Sequence, residues 1–219
     1  MKKIILYYFT IPFWRAEVSR LSLFIGNIEF DDYRIQNNDY KKFKEDGTLP
    51  SGKIAPFRQL PVLEVDDKIV AQTGAIARYC GKLSGLYTLN DNFEAALIDQ
   101  IIESAQDINY MVTLSNRDKD PEKKKIAREI LSTKHLPKSF QFLENLIFEK
   151  NGECWFVGNQ LSIADLAIWR LLGWLSSGLL DGVPTNILDP YKKLKKMCSQ
   201  IDQHPRIREW MLIKYGKAI

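Results

Sequence analysis

Three short stretches of this 219-residue chain carry groups arranged for chemistry. The first is Tyr8, at the end of the apolar run Ile4-Ile5-Leu6-Tyr7-Tyr8. A phenol at a strand end can donate a hydrogen bond to an anion formed beside it. A tyrosine there is more often an ordinary core residue with its hydroxyl satisfied. Tyr7 is the alternative, because successive side chains of a strand point to opposite faces and only one of the two meets a given site. The second stretch is Leu60-Pro61, heading the run Val62 to Val65. Proline is tolerated at the first residue of a strand, and a cis bond, the minority form, would expose the Leu60 backbone to a ligand. The third is Gln72-Thr73-Gly74 at a helix start. Thr73 reads as an N-cap, and the free N–H groups of a helix start attract a carboxylate.

Other chemistries lack their residues. The chain has no Gly-x-Ser-x-Gly, no phosphate-cradling glycine loop and no dinucleotide fingerprint. Cys80, Cys154 and Cys198 are an odd, widely spaced set without Cys-x-x-Cys, so neither a disulfide framework nor a dithiol centre is expected. With only His135 and His204 beside them, no metal is expected. The net charge is +4, and the basic runs Lys123 to Lys125 and Lys192 to Lys196 lack interleaved aromatics. They read as solvated helix faces, with no nucleic-acid partner. Ile4 to Phe9 is too short to span a bilayer and no small-residue cleavage site follows. A cytosolic protein without membrane attachment is expected.

The elements that must position these residues fall into two groups. Ile4 to Tyr8 predicts a buried strand, Arg15 to Ile25 a helix stopped by Gly26, and Glu29 to Ile35 a second strand. Gln36 to Arg58 is polar and proline-bearing, a loop with a short helix around Tyr40 to Lys44. Pro61 to Val65 and Lys68 to Ala71 pair as a hairpin about Asp66-Asp67, and Thr73 to Leu83 is helical. The order is β-α-β-α-β-β-α over residues 1–84, with a connector at 85–92. From residue 93 to 219 only helix signals are found. Phe93, Leu97, Ile101, Ala105, Ile108 and Val112 define one apolar face, with Asp99, Glu103, Gln106 and Tyr110 on the opposite one. Pro121 to Lys150 is a second helical stretch that Pro137 kinks or splits. Ser162 and Asp165 form a capping box for a helix apolar on nearly all sides except at Arg170, which belongs at the centre of a bundle.

Leu6-Tyr7-Tyr8-Phe9 with Arg15-Ala16-Glu17 and Arg20-Leu21, Pro56 to Asp66 around Leu60-Pro61, and Gln72 to Tyr79 resemble three signatures of the cytosolic glutathione transferases. Ser162 to Asp165 and His204 to Ile207 resemble the capping box of their central helix and their last helix. The resemblance covers essentially the whole chain and is nearest to the tyrosine-type sigma class. It implies an α/β thioredoxin-like N-terminal domain over 1–84, an all-α C-terminal helical bundle domain over 93–219 that carries the electrophile pocket, and a homodimer.

Carried over residue by residue, the resemblance makes Tyr8 the catalytic tyrosine and sets Arg15 beside the glutathione thiol. Tyr40 and Lys44 would hold the glycine end, and Gln59, Leu60 and Pro61 the cysteinyl backbone. Gln72 and Thr73 would bind the γ-glutamyl end, and Asp99 would reach the γ-glutamyl ammonium of the neighbouring subunit. Phe9, Phe13, Trp14, Gln106 and Tyr110 would line the electrophile pocket. The family often runs Tyr-Phe-x-x-Arg-Gly-Arg-Ala-Glu. Here the loop Thr10-Ile11-Pro12-Phe13-Trp14 is one residue longer and lacks the Arg-Gly pair, which would narrow that pocket and make it more aromatic. The implied activity is conjugation of glutathione, as thiolate, to small hydrophobic electrophiles. Two other readings share the fold: a non-catalytic carrier of flat apolar ligands such as haem or bilins, and a glutathione-dependent isomerase or peroxidase.

Overall fold

The computed structural model describes residues 2–216; Met1 and positions 217–219, the last three of the expected helical domain, lie outside the described residues. β1 (Ile4–Tyr8) is buried at every position. It lies inside a four-stranded sheet of order β2-β1-β3-β4. β2 (Asp31–Arg34) runs parallel to it, β3 (Val62–Val65) antiparallel, and β4 (Lys68–Ala71) folds back on β3. The parallel pair requires a crossover, which α1 (Trp14–Ile25) supplies. α2 (Asn37–Asp46) and α3 (Thr73–Ser84) complete the unit in the expected order.

The strand pleat decides which tyrosine goes where. Ile4, Leu6 and Tyr8 pack with Ala16 and Leu23 of α1 and with Ile76 and Cys80 of α3. Ile5 and Tyr7 face the other way, onto Phe43 of α2, Leu49 and Val62.

α4 (Asn92–Ser115) begins where Asp91 accepts hydrogen bonds from the N–H groups of Phe93 at 2.8 Å and Glu94 at 2.9 Å. Its buried stripe runs through Ile98, Ile101, Ile102, Ala105, Ile108 and Val112. Extended one turn back, this stripe reaches residue 94. Phe93, expected on the apolar face, therefore falls off it and is 75% exposed. α5 (Pro121–Ile130) and α6 (Leu136–Leu146) are joined by a π turn at Leu131–His135. The turn falls just before Pro137, whose missing N–H leaves the Thr133 carbonyl without its usual donor.

The expectation of helices alone after residue 93 is corrected by a small hairpin, β5 (Phe148–Lys150) and β6 (Glu153–Trp155). Its turn residues Asn151 and Gly152 take φ of 52° and 84°, the pairing that two-residue hairpins favour. The second helical stretch ends at Leu146 for this reason.

α7 (Ile163–Leu175) runs through the middle of the helices, with all but three of its residues buried. Asp165 fixes its start by accepting from the Ser162 N–H at 2.8 Å, the Ser162 hydroxyl at 2.7 Å and the Phe156 N–H at 2.9 Å. α8 (Lys192–Asp202) and α9 (Pro205–Tyr215) close the described chain. α1 packs against α3, α7 and α9, so the element that follows Tyr8 is held by both halves of the molecule.

Candidate active site

Strand alternation separates the two adjacent phenols chemically. The Tyr7 hydroxyl donates to Glu64 Oε2 at 2.9 Å, and Glu64 is itself paired with Lys53 at 2.8 Å. Tyr7 is thus tied up in the sheet. No hydrogen bond from the described residues reaches the Tyr8 hydroxyl. The Tyr8 ring packs edge-on to Phe9, 5.2 Å between centroids, and the Arg20 guanidinium lies 5.8 Å from its centroid. Burial pushes the Tyr8 pKa up to about 12 against the opposing pull of Arg15 and Arg20. Tyr8 is therefore a neutral phenol at physiological pH: a donor, not a base.

A depression lies between the start of α1, the segment before β3 and the start of α3. Arg15, Gln59, Leu60 and Pro61 line it. Gln72, Thr73, Phe57 and Ala71 complete the lining. The Leu60–Pro61 bond is cis. The expected N-cap, Thr73, is displaced by one position. The structure puts Gln72 there, at φ 77° and ψ 124°, a region that non-glycine residues rarely occupy, and makes Thr73 the first helical residue. Ile76 N–H bonds the Gln72 carbonyl at 3.0 Å, so the N–H groups ahead of it are the usual orphans of a helix start.

Two groups in the depression are chemically unfinished. Thr73 is 1% exposed, yet its Oγ1 has no hydrogen-bond partner among the described residues. Buried hydroxyls are normally satisfied, so this one points to a missing partner. Arg15 is half-buried, with its guanidinium 5.8 Å from the Trp14 ring centroid. Burial pulls its pKa below the ordinary arginine value, and only the Tyr8 phenol works against that. Among the described residues no carboxylate compensates it. An unpaired guanidinium, an orphaned hydroxyl and a helix N-terminus together make a site for an anionic group. Tyr8 does not line the depression, but its phenol lies close enough to Arg15 for the two groups to act on each other's charge.

The remaining expected residues are placed as follows. Tyr40 is half-buried, its ring 5.1 Å from Phe9, and Lys44 is exposed in the last turn of α2; neither lines the depression. Asp99 accepts from Arg78 Nε at 2.6 Å and from the Tyr87 hydroxyl at 3.2 Å, and its side chain stays 31% exposed. Gln106 is half-buried and Tyr110 is exposed. Phe13 meets Trp174 of α7 edge-on at 5.0 Å.

Trp14 is corrected. It is not at a pocket wall but fully buried, because α1 begins at Trp14 and turns it toward α4, where its Nε1 is 3.5 Å from Asn109 Oδ1. Missing from the expectations were Phe57, Ala71 and the buried Glu17–Arg20 pair behind Tyr8. An opposite-charge pair at i and i+3 within the helix was the available signal for the last.

Among the described residues no helix is long and apolar enough to cross a membrane. Residues 5–82 match the model of the glutathione S-transferase N-terminal domain, and residues 106–212 that of the glutathione S-transferase C-terminal domain. The chain is 30% identical over 205 residues to the hematopoietic prostaglandin D synthase of Gallus gallus, covering 94% of each. The solved structure of prostaglandin synthase D of Nilaparvata lugens matches with a TM-score of 0.79 at 27% identity, over 95% of this chain and 96% of that one. A monomeric glutathione S-transferase of the human hookworm Necator americanus matches with a TM-score of 0.76 at 27% identity, over 99% of this chain and 100% of that one. Family, fold and a thioredoxin-like sheet that ends in a free phenol agree: the chain belongs to the glutathione S-transferase family and is a glutathione transferase, with glutathione as its co-substrate.

Proposed function

We propose that the depression between Arg15 and Thr73 holds glutathione, and that Tyr8 stabilises its thiol as the thiolate for attack on a small hydrophobic electrophile. One observation carries this reading: the orphaned Thr73 hydroxyl and the unpaired Arg15 guanidinium line the same depression, with a neutral, unengaged phenol beside them. Thr73 and Gln72 take the γ-glutamyl carboxylate at the α3 start. Gln59, Leu60 and Pro61 lie along the cysteinyl backbone, and Tyr40 and Lys44 hold the glycine end. A free cysteine thiol has a pKa of about 8.5 and is mostly protonated at neutral pH. Tyr8 donates to the sulfur and Arg15 adds positive charge, so the thiol proton leaves for solvent and the sulfur lone pair is free to form the new bond.

Thr73→Val removes only the hydroxyl. It is expected to raise the Kd for glutathione about tenfold, from the loss of a hydrogen bond to a charged group, while kcat at saturation changes less than about twofold. Isothermal titration and initial rates measure the two.

Phe9, Phe13, Gln106 and Tyr110 frame the electrophile side. The tyrosine-type, sigma-like class, a detoxification role and a cytoplasmic setting belong to the same proposal, as does division of the chain into 1–84 and 93–219. A homodimer is supported by large apolar side chains left in solvent, Phe57 at 58% and Phe93 at 75% exposure, and by the outward carboxylate of Asp99. Sedimentation is expected to give twice the chain mass of 25.4 kDa. A fully active monomer, the state named for the hookworm relative, removes the bridging role of Asp99.

A second reading, a glutathione-dependent synthase or isomerase, is favoured by the names of the Gallus gallus and Nilaparvata lugens relatives. The experiment that tests the first reading also sorts the others: retention on immobilised glutathione, followed by a panel of electrophiles. Retention with conjugation supports transferase chemistry at this site. Failure to retain the chain favours the carrier of apolar ligands.

A further inference from the structure

Arg170 is the one cation on α7. It lies over the Trp169 ring, 5.0 Å from the centroid, and burial pulls its pKa below the ordinary arginine value. Placing a guanidinium in the middle of a helical core is costly unless something specific receives its hydrogen bonds. What receives them is not a carboxylate. Arg170 Nη2 and Nε donate to the Pro12 carbonyl at 2.8 and 3.2 Å.

Pro12 lies in the loop that leaves Tyr8 and enters α1 just ahead of Arg15. Every carbonyl of that loop from Phe9 to Pro12 is held by an arginine. Arg20 Nη2 reaches Phe9 O at 2.9 Å and its Nη1 reaches Ile11 O at 3.3 Å. Arg34 Nη1 reaches Thr10 O at 3.1 Å. Arg20 and Arg34 are steadied by Asp32, at 2.7 and 2.9 Å. The Tyr215 hydroxyl of α9 donates to Glu17 at 2.7 Å, and the Tyr215 ring lies 4.9 Å from the Arg34 guanidinium. Of the three arginines, Arg20 and Arg34 stand on the same sheet-bearing half as the loop. Arg170 alone comes from the helical half.

We propose that Arg170 is a positioning residue for thiol activation: by holding the Pro12 carbonyl it fixes the loop that joins Tyr8 to Arg15, and with it the placement of both groups against the bound thiol. The proposal rests on the glutathione site assigned above. Gln59 to Pro61 and Gln72–Thr73, which anchor glutathione in that assignment, line the depression on segments that do not pass through this loop. Releasing Pro12 therefore loosens the activating groups and leaves the anchoring groups in place, so activation and affinity separate. A shift of a fraction of an ångström in a hydrogen-bond donor is enough to weaken it. The charges nearest Arg170 are Glu17 and Asp202, with the Tyr215 phenol. Burial and the neighbouring Glu17 push the Tyr215 phenol up, so it keeps its proton through the range in which the thiol titrates.

The test is the pH titration of bound glutathione by the ultraviolet absorbance of its thiolate, in wild type and in Arg170→Met, with Kd measured in parallel. The expected result is a rise of the bound thiol pKa by about 0.5 to 1 unit, a fall of kcat/KM by about three- to tenfold below that pKa, and a Kd for glutathione within about twofold. Arg170→Gln, which keeps polarity but loses reach, gives the same shift and serves if the methionine variant does not fold. A folded variant with an unchanged thiol pKa overturns the proposal, even if its melting temperature has dropped. A Kd that rises in step with the loss of rate also overturns it. If wild type itself leaves the thiol pKa at its free value, the site assignment falls and this proposal with it. If wild type lowers the pKa and the variants match it, only the role of Arg170 is wrong.

Discussion

Tyr8→Phe is expected to lower kcat/KM for conjugation by about ten- to a hundredfold while the Kd for glutathione stays within about threefold. The change removes one hydrogen bond to the thiolate. A donor to a charged acceptor contributes about 1.5–3 kcal/mol, and about 1.36 kcal/mol corresponds to a factor of ten. The ring stays packed against Phe9, at 5.2 Å, so the variant removes the donor and little else. The Tyr8 hydroxyl forms no hydrogen bond with the described residues, so its loss orphans no protein group.

The pH dependence follows from the same placement. With its pKa pushed up to about 12, Tyr8 keeps its proton across the working range. Activity is expected to rise with pH as the thiolate forms, with no descending limb from the tyrosine below about pH 11. Tyr7→Phe is the matched control. It loses the bond to Glu64 in the sheet and keeps near-wild-type kcat/KM. Initial rates with an aryl halide at varied pH, beside calorimetric titration with glutathione, measure every arm.

Asp165→Ala is expected to cost about 3–4 kcal/mol of folding stability, seen as a melting temperature lower by roughly ten degrees. Asp165 is fully buried at the start of the central helix, and burial pushes its pKa up to about 6. It is still ionised at neutral pH and accepts three hydrogen bonds, two from backbone N–H groups and one from the Ser162 hydroxyl. Alanine leaves all three donors buried without an acceptor. It also frees the segment around Phe156 from the α7 start. The conservative variant Asp165→Asn keeps a side-chain carbonyl that can still accept, so it is expected to lose less than half as much. Denaturant melts at pH 7 distinguish them.

How legible these features were depended on whether the signal was local. The β1 run, the hairpin about Asp66 and the Ser162–Asp165 capping box are written in residue type and spacing over a few positions, and they stand where expected. The hairpin at Asn151-Gly152 is just as local, but it follows a long helical window that ends in only three strand residues, Phe148 to Lys150. Trp14 belongs at a pocket wall only if the loop extends to Arg15; a helix that starts one residue earlier turns the indole into the core. The choice between Tyr7 and Tyr8 depends on which side of the sheet carries α1, which periodicity alone does not say. The least legible feature was the ladder of arginines on the loop carbonyls. Its acceptors are backbone atoms, and Arg170 meets Pro12 across 158 positions, so no spacing in the chain announces it.

The role proposed for Tyr8 is to lower the thiol pKa of glutathione bound in this site. It is tested most directly by titrating the thiolate absorbance of glutathione bound to wild type and to Tyr8→Phe. The expected result is a bound pKa about 1 to 2 units below the free value of about 8.5 in wild type, and a return toward that value in the variant. A wild-type complex that titrates like free glutathione, or a variant that titrates like wild type, contradicts it.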